Sequence, residues 1–234
     1  MEFVIVNRLV TLLPDIIVLM LVRQLLGRGV HVSAVIRGST ALPEELQPHD
    51  RLTVIRANPL ELTDAELLTL TAECQAVVSC LGHNMSWRGL FGKPRRLVTD
   101  AVRRLSDAII ASDQKVPAVR FVLMNSAACS NRDIDEPVSR AQAVIISMLR
   151  LFLPPHADNE HAADYLRENV GHENAKLHWV VVRPDSLKDD DTVTEYSVHP
   201  SPPRSAIFNA GSTSRINVAH FMADLITDNE TWQR

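Results

Sequence analysis

The segment between residues 156 and 164 carries the densest group of side chains that could bind a metal ion. It contains five potential ligands: His156, Asp158, Glu160, His161 and Asp164. Their order and spacing match neither the HExxH pattern of zinc enzymes nor its inverted form, and two histidines five residues apart diverge on a helix. The sequence therefore favours a helix start rich in acidic residues, which complements the helix dipole, over a metal site.

Two other reactive residue types also lack the pattern that their chemistry needs. Ser126 lies in the segment NSAA, without the glycines that flank a serine nucleophile on a sharp turn, so hydrolase chemistry is not indicated. The three cysteines are odd in number and form no CxxC pair, which argues against a disulfide framework and against a zinc site. A reducing, cytoplasmic setting is the expectation.

The elements that would position these residues are clear from the pattern. Short apolar runs alternate with helical periodicity, as in a parallel sheet with crossover helices. Strands are predicted to begin at Phe3, Val30, Leu52, Ala76, Val119 and Trp179. Helices are predicted from a capping box at Thr63 and Glu66 to about Glu73, beyond Pro94, and over residues 139–152, 157–169 and 217–227. The sequence thus predicts one α/β domain over residues 1–234, with a doubly wound, mostly parallel sheet and helices on both faces.

Composition excludes several classes of partner. The 234 residues are 46% hydrophobic and 22% charged, with a net charge of −4, and no basic stripe predicts nucleic-acid binding. The longest apolar run, residues 16–22, is well short of a bilayer span, so no membrane association is expected. The proline-rich, acidic stretch 187–204 is either a loop on the substrate side or a solvated surface excursion.

The order of several short motifs resembles that of a known group. LVRQLLGRG, VIRG, VVSCLGHN, VRFVLMNSAA, DNEHAADYL and WVVVRPDSL follow one another as in the atypical short-chain dehydrogenases, the NAD(P)H-binding group that includes biliverdin-reductase-B-like and NmrA-like proteins. This resemblance covers nearly the whole chain. It implies a Rossmann-like fold that binds NADP or NAD together with a small-molecule substrate.

The resemblance also implies roles for individual residues. Arg37 follows the second strand, where relatives favour an arginine that pairs with the adenosine 2′-phosphate of NADP. The other implied cofactor-binding residues end later strands: Leu81, Gly82, His83, Asn125, Arg183 and Pro184. The implied catalytic residues are Ser126, which would hold a substrate carbonyl, Asn159, which would orient one, and Tyr165.

Two departures from the family pattern bear on chemistry. The first glycine of the chain is Gly27, and Leu12, Asp15 and Val18 stand where the family has its three turn glycines, so the pyrophosphate site is expected to be damaged. Neither tyrosine has a lysine four residues later, so the usual tyrosine–lysine proton donor is absent.

Three functional hypotheses follow from these observations. The first is an NADP-preferring oxidoreductase on a small carbonyl or enone, with weakened cofactor affinity and water as the source of the proton. The second is a catalytically inactive nucleotide-sensing or scaffold module. The third is a relic in which residues 7 to about 20 are not the segment with which the fold evolved, with an irregular C-terminus as well.

Overall fold

The computed structural model describes residues 2–6, 16–36, 46, 49–72, 74–83, 86–87, 91–113, 118–134, 136 and 139–232. Its main sheet has six parallel strands in the order β3-β2-β1-β4-β5-β6. They are β1 (Glu2–Val6), β2 (His31–Ile36), β3 (Leu52–Arg56), β4 (Cys74–Ser79), β5 (Val119–Met124) and β6 (Leu177–Val182). This is the doubly wound arrangement, and all six predicted strands are confirmed.

Helices cover both faces of this sheet. The long ones are α1 (Ile16–Gly27), α2 (Asp64–Thr71), α3 (Leu97–Ala111), α4 (Arg140–Phe152), α5 (Pro154–Tyr165) and α6 (Arg215–Thr227). A π-helical turn, Leu166–Val170, continues α5. A short parallel pair, β7 (Ser186–Lys188) and β8 (Ser212–Ser214), precedes α6, and a single turn, α7 (Asn229–Trp232), follows it. In the described part of the chain, no helix is long and apolar enough to cross a bilayer.

Two apolar layers hold the helices to the sheet. Leu21 and Leu25 of α1 pack with Met222 of α6 on one face, and Leu105 of α3 packs with Leu166 on the other. The central strands are buried on both faces, as expected for parallel strands between helices. The packing in each layer thus sets the position of the helices relative to the carboxyl ends of the strands.

Local signals set several helix boundaries. Thr63 and Glu66 form the predicted capping box at the start of α2. Ser139 caps α4, where its hydroxyl oxygen accepts from the N–H of Gln142 at 3.2 Å. The helix predicted over residues 157–169 begins earlier, at Pro154, because proline suits the first helical position.

The stretch 187–204 runs beside α6. Thr194 and Asn217 exchange two hydrogen bonds of 2.9 Å, and the Tyr196 hydroxyl lies 2.8 Å from His220 Nδ1. At its far end, the Ser201 hydroxyl donates to Glu136 at 3.4 Å. The stretch therefore contacts the loop that follows β5 at this end, while its middle is fastened to α6.

Candidate functional site

The carboxyl ends of β4 and β5 lie side by side and carry five of the predicted site residues. Leu81, Gly82 and His83 follow β4, and Asn125 and Ser126 follow β5. Leu81 is buried, whereas Gly82 is exposed, and among the described residues no atom beyond its chain neighbours lies within 4 Å of the position that a Cβ on Gly82 would take. A ligand could therefore approach Gly82 closely on the side where other residues carry a Cβ.

Asp158 of α5 binds the residues around this edge together. Its Oδ2 accepts from His83 Nε2 at 2.7 Å and from the Val98 N–H at 2.8 Å. Its Oδ1 accepts from the N–H and the hydroxyl of Thr99, at 3.1 and 2.6 Å. Val98 and Thr99 lie in the first turn of α3, so Asp158 caps a helix other than its own.

This bonding keeps Asp158 ionised. Burial by itself would raise the pKa of the carboxyl, but the hydrogen bonds from His83, Thr99 and Val98 together outweigh burial and hold the pKa below its ordinary value. Because an ionised carboxylate only accepts hydrogen bonds, the proton shared with His83 resides on Nε2. The His83 side chain is 2% exposed, so its ring is fixed inside this cluster.

Asn159, the next residue, ties α5 to the end of β5. Its backbone carbonyl accepts from Asn125 Nδ2 at 2.9 Å, and Asn125 Oδ1 accepts from the Ser126 N–H at 2.9 Å. The Ser126 hydroxyl oxygen accepts from the Ala128 N–H at 3.3 Å. A hydroxyl in this role still carries a proton that it can donate to a carbonyl oxygen.

Arg183 and Pro184 hold the loop that follows Ser126. Arg183 donates to the Cys129 carbonyl at 2.8 Å and to Glu136 Oε1 at 2.6 Å, and its side chain is 12% exposed. The Pro184 carbonyl accepts from Ala127 N–H at 3.2 Å. The guanidinium is therefore engaged within the protein, and its observed contacts position this loop.

A second buried polar group lies beside the first. The Cys129 Sγ is 4.0 Å from His156 Nδ1, and His156 Nε2 is 3.7 Å from Glu160 Oε1. Glu160 accepts two bonds from Arg150 of α4, at 2.5 and 2.9 Å. Burial, with the Glu160 charge, raises the pKa of the Cys129 thiol to about 12, so this cysteine is not a thiolate nucleophile near neutral pH.

Tyr165 does not join these residues. Its hydroxyl donates to Asp107 of α3 at 2.5 Å, and burial followed by this hydrogen bond raises its pKa. On the same helix it lies seven residues beyond Asp158, which is about 10 Å along the axis. The structure gives the phenol a partner on α3 that competes with the catalytic role that the resemblance implies for Tyr165.

The remaining predicted residues are placed differently. Arg37, Leu12 and Asp15 lie outside the described residues. Val18 is buried among the apolar side chains between α1 and the sheet. Within the described ranges, no group of histidine, cysteine, aspartate and glutamate is arranged to hold a metal ion.

Sequence reasoning missed the role of the α5 residues. The acidic cluster was interpreted as a first turn that complements its own helix dipole, but α5 begins at Pro154, and Asp158 and Glu160 are buried beyond that turn. The available signal was the proline pair at 154–155, which places the helix start four residues before Asp158. Nothing in the sequence indicated that His83 is the partner of Asp158.

Comparison with known proteins supports the fold and the family. Residues 17–229 match the model of a family described as NAD(P)H-binding. The oxidoreductase ylbE from Lactococcus lactis has a similar structure, with a TM-score of 0.63 and 12% identity over 99% of this chain and 87% of that one. ChuY, an anaerobillin reductase from Escherichia coli O157:H7, has a TM-score of 0.60 and 14% identity over 98% of this chain and 92% of that one. UDP-glucose 4-epimerase from Thermus thermophilus, in complex with NAD, has a TM-score of 0.60 and 11% identity over 96% of this chain and 74% of that one. No curated protein matches the chain by sequence.

The geometry of the sheet edge fits a nicotinamide dinucleotide. The strand order reverses between β1 and β4, which is where doubly wound sheets bind such ligands, and the exposed Gly82 lies at that point. Asp158 fills the N-terminus of α3, so a phosphate would instead need the N-terminus of α1. Because the family model spans most of its length, the chain belongs to the NAD(P)H-binding family.

Proposed function

We propose that this protein is an NADP-preferring oxidoreductase that acts on a small carbonyl-type substrate in the cytoplasm. One observation carries the proposal: the first half of α5 joins the Gly82 loop after β4 to the Asn125–Ser126 turn after β5. In a sheet of this order, that edge lies beside the cofactor and its substrate. The three cysteines are buried free thiols, as suits a reducing compartment.

Cofactor binding would use residues from both halves of the sheet. Arg37 would pair with the 2′-phosphate, since a planar guanidinium matches a phosphate well. Leu81, Gly82 and His83 would contribute backbone groups, because the Leu81 and His83 side chains face the protein interior. Arg183 and Pro184 would act by holding the loop after Ser126 in place.

Substrate orientation would fall to Ser126 and Asn159. The Ser126 hydroxyl can donate to the substrate carbonyl, and the half-buried Asn159 amide can orient it but cannot transfer a proton. When bound, the nicotinamide supplies hydride chemistry. With Tyr165 committed to Asp107, the proton would come from water. The Ser201 end of the stretch 187–204, which contacts Glu136, would border the same substrate side.

The first test is calorimetric titration with NADPH and with NADH, into the millimolar range. We expect NADPH to bind more tightly and Arg37→Ala to remove that preference, because the variant loses the partner of the 2′-phosphate. Arg140→Ala, at an exposed arginine of α4, is the matched control and should bind as the wild type does. Absence of binding of either nucleotide would overturn the oxidoreductase proposal.

Turnover separates this proposal from its alternative. The missing tyrosine–lysine pair and the engaged Tyr165 hydroxyl favour a nucleotide-sensing module that binds but performs no chemistry. The assay measures oxidation of NADPH in the presence of a panel of small carbonyl and enone compounds. Turnover with a panel member, and a kcat about 100-fold lower in Ser126→Ala, would support the enzyme. Removing one aligned hydrogen-bond donor typically lowers kcat by that factor. Binding without oxidation of NADPH by any panel member would favour the module.

A further inference from the structure

Helix α4 is attached to the domain at few points. Among the residues that the structure describes, Ile146 is the one that α4 buries. Val144, Met148, Leu151 and Phe152 are each more than half exposed. So little apolar burial gives α4 a low local stability. The two bonds from Arg150 to Glu160 are therefore a large part of what fixes this helix.

His156 faces the same carboxylate from inside the domain. It is 7% exposed, it lies one turn before Glu160 on α5, and its Nε2 has no hydrogen-bond partner among the described residues. That nitrogen lies 3.7 Å from Glu160 Oε1, the oxygen that accepts from Arg150 Nη2. Arg150 Nε also binds the other oxygen, Oε2, at 2.5 Å, so two cationic groups, one of them dependent on pH, compete for the charge of one carboxylate.

The surroundings of His156 keep its ring neutral near pH 7. Burial lowers its pKa, the Glu160 charge opposes this, and Arg150 lowers it further. On its other side lies the thiol of Cys129, whose carbonyl accepts from Arg183. Arg132, from the loop after β5, lies 3.9 Å from Glu160 Oε2 and 2.6 Å from Asp164, so it adds positive charge beside Glu160.

We propose that His156 and Glu160 form a pH-operated latch for helix α4: once protonated, His156 pairs with Glu160 Oε1, its charge weakens both bonds from Arg150 to this carboxylate, and α4 separates from the domain. Arg150 can leave because its side chain is 40% exposed and water can solvate its charge. The buried imidazolium has no such alternative and keeps Glu160. Because α4 follows the loop that carries Ser126 and Glu136, its release would loosen the substrate side of the edge.

Hydrogen exchange measured by mass spectrometry tests the latch without any cofactor. Protection factors, corrected for the intrinsic pH dependence of exchange, are compared at pH 7.5 and pH 5.5. We expect protection of residues 140–152 to fall roughly tenfold, while β5 keeps its protection. Parallel loss in α4 and β5 would indicate global unfolding and would overturn the latch, as would unchanged protection in α4.

Variants assign the effect to His156. His156→Phe and, as a second choice, His156→Asn cannot be protonated, so the fall in α4 protection should disappear. His161→Gln, at an exposed histidine of the same helix, is the matched control and should behave as the wild type. Arg150→Met should show low α4 protection at both pH values. If α4 protection still falls at pH 5.5 in the His156 variants, the proposal is overturned. If the His156 variants do not fold, a fall in α4 protection at pH 5.5 in Arg150→Met would overturn it instead.

Discussion

Helices α4 and α5 are separated by a single residue, Leu153, yet they are attached to the domain in opposite ways. Helix α4 buries Ile146 and leaves four large apolar side chains to solvent. Helix α5 buries five residues, of which His156, Asp158 and Glu160 are ionisable. The difference teaches that polar contacts of α5, more than apolar packing of α4, arrange the loops at the candidate site.

Removing the Asp158 carboxylate should give the largest loss of stability. Asp158→Ala leaves the Val98 and Thr99 N–H groups and His83 without their buried partner, so we expect the free energy of unfolding to fall by about 3 kcal/mol. Urea denaturation measures this. Asp191→Ala, at an exposed acidic residue, is the control and should stay within about 0.5 kcal/mol. If Asp158→Ala lowers the free energy of unfolding as little as the control does, polar contacts do not hold α5 more firmly than apolar packing holds α4.

Truncation along α4 should show that one apolar side chain, Ile146, contributes most of its packing. We expect Ile146→Ala to lower the free energy of unfolding by about 2 kcal/mol, because it empties a buried site. Leu151→Ala, on the same helix at 73% exposure, should change it by less than about 0.5 kcal/mol. Equal losses from the two variants, in urea titrations followed by circular dichroism, would mean that α4 packs against more of the domain than Ile146 indicates.

The sequence was sufficient for the fold because the fold depends on repeated apolar spacing. Six strands, the capped start of α2 and the helix over residues 139–152 were all predicted, since each depends on neighbouring residues alone. The two-layer arrangement follows from strands that are apolar on both faces.

The site was less predictable because its contacts join distant residues. Asp158 bonds with His83 and Thr99, which lie 75 and 59 residues away. Asp158 and Glu160 point to different sides of α5, one toward α3 and the other toward α4, and a sequence pattern does not reveal that a helix is enclosed on two sides. The acidic segment was therefore interpreted as a helix start that complements its own dipole.

Acid should weaken the fold in two steps, and the residues of α5 set both. His156 has a lowered pKa in the folded chain, so the unfolded chain takes up its proton first, and stability falls from about pH 6.5 down to the lower folded value. Asp158, also with a lowered pKa, contributes stability above about pH 4 that is lost as pH falls through its folded value. Urea titrations from pH 8 to pH 3 should show both steps, and His156→Phe should remove only the first. A single step below pH 4 in the wild type would contradict the assignment to His156.

The smallest effect is expected at the far end of α5, where Tyr165 bonds to Asp107. Burial and the neighbouring carboxylates raise the pKa of both tyrosines of this chain, that of Tyr196 to about 12. The folded chain should therefore show little tyrosinate absorbance at pH 10, where the unfolded chain is about half ionised. Tyr165→Phe should cost about 0.5 kcal/mol, the lower range for one hydrogen bond, and should leave any NADPH oxidation unchanged. A tyrosine that ionises near pH 10 in the folded chain would contradict these contacts. A loss of NADPH oxidation in Tyr165→Phe, with the fold intact, would return the phenol to the candidate site.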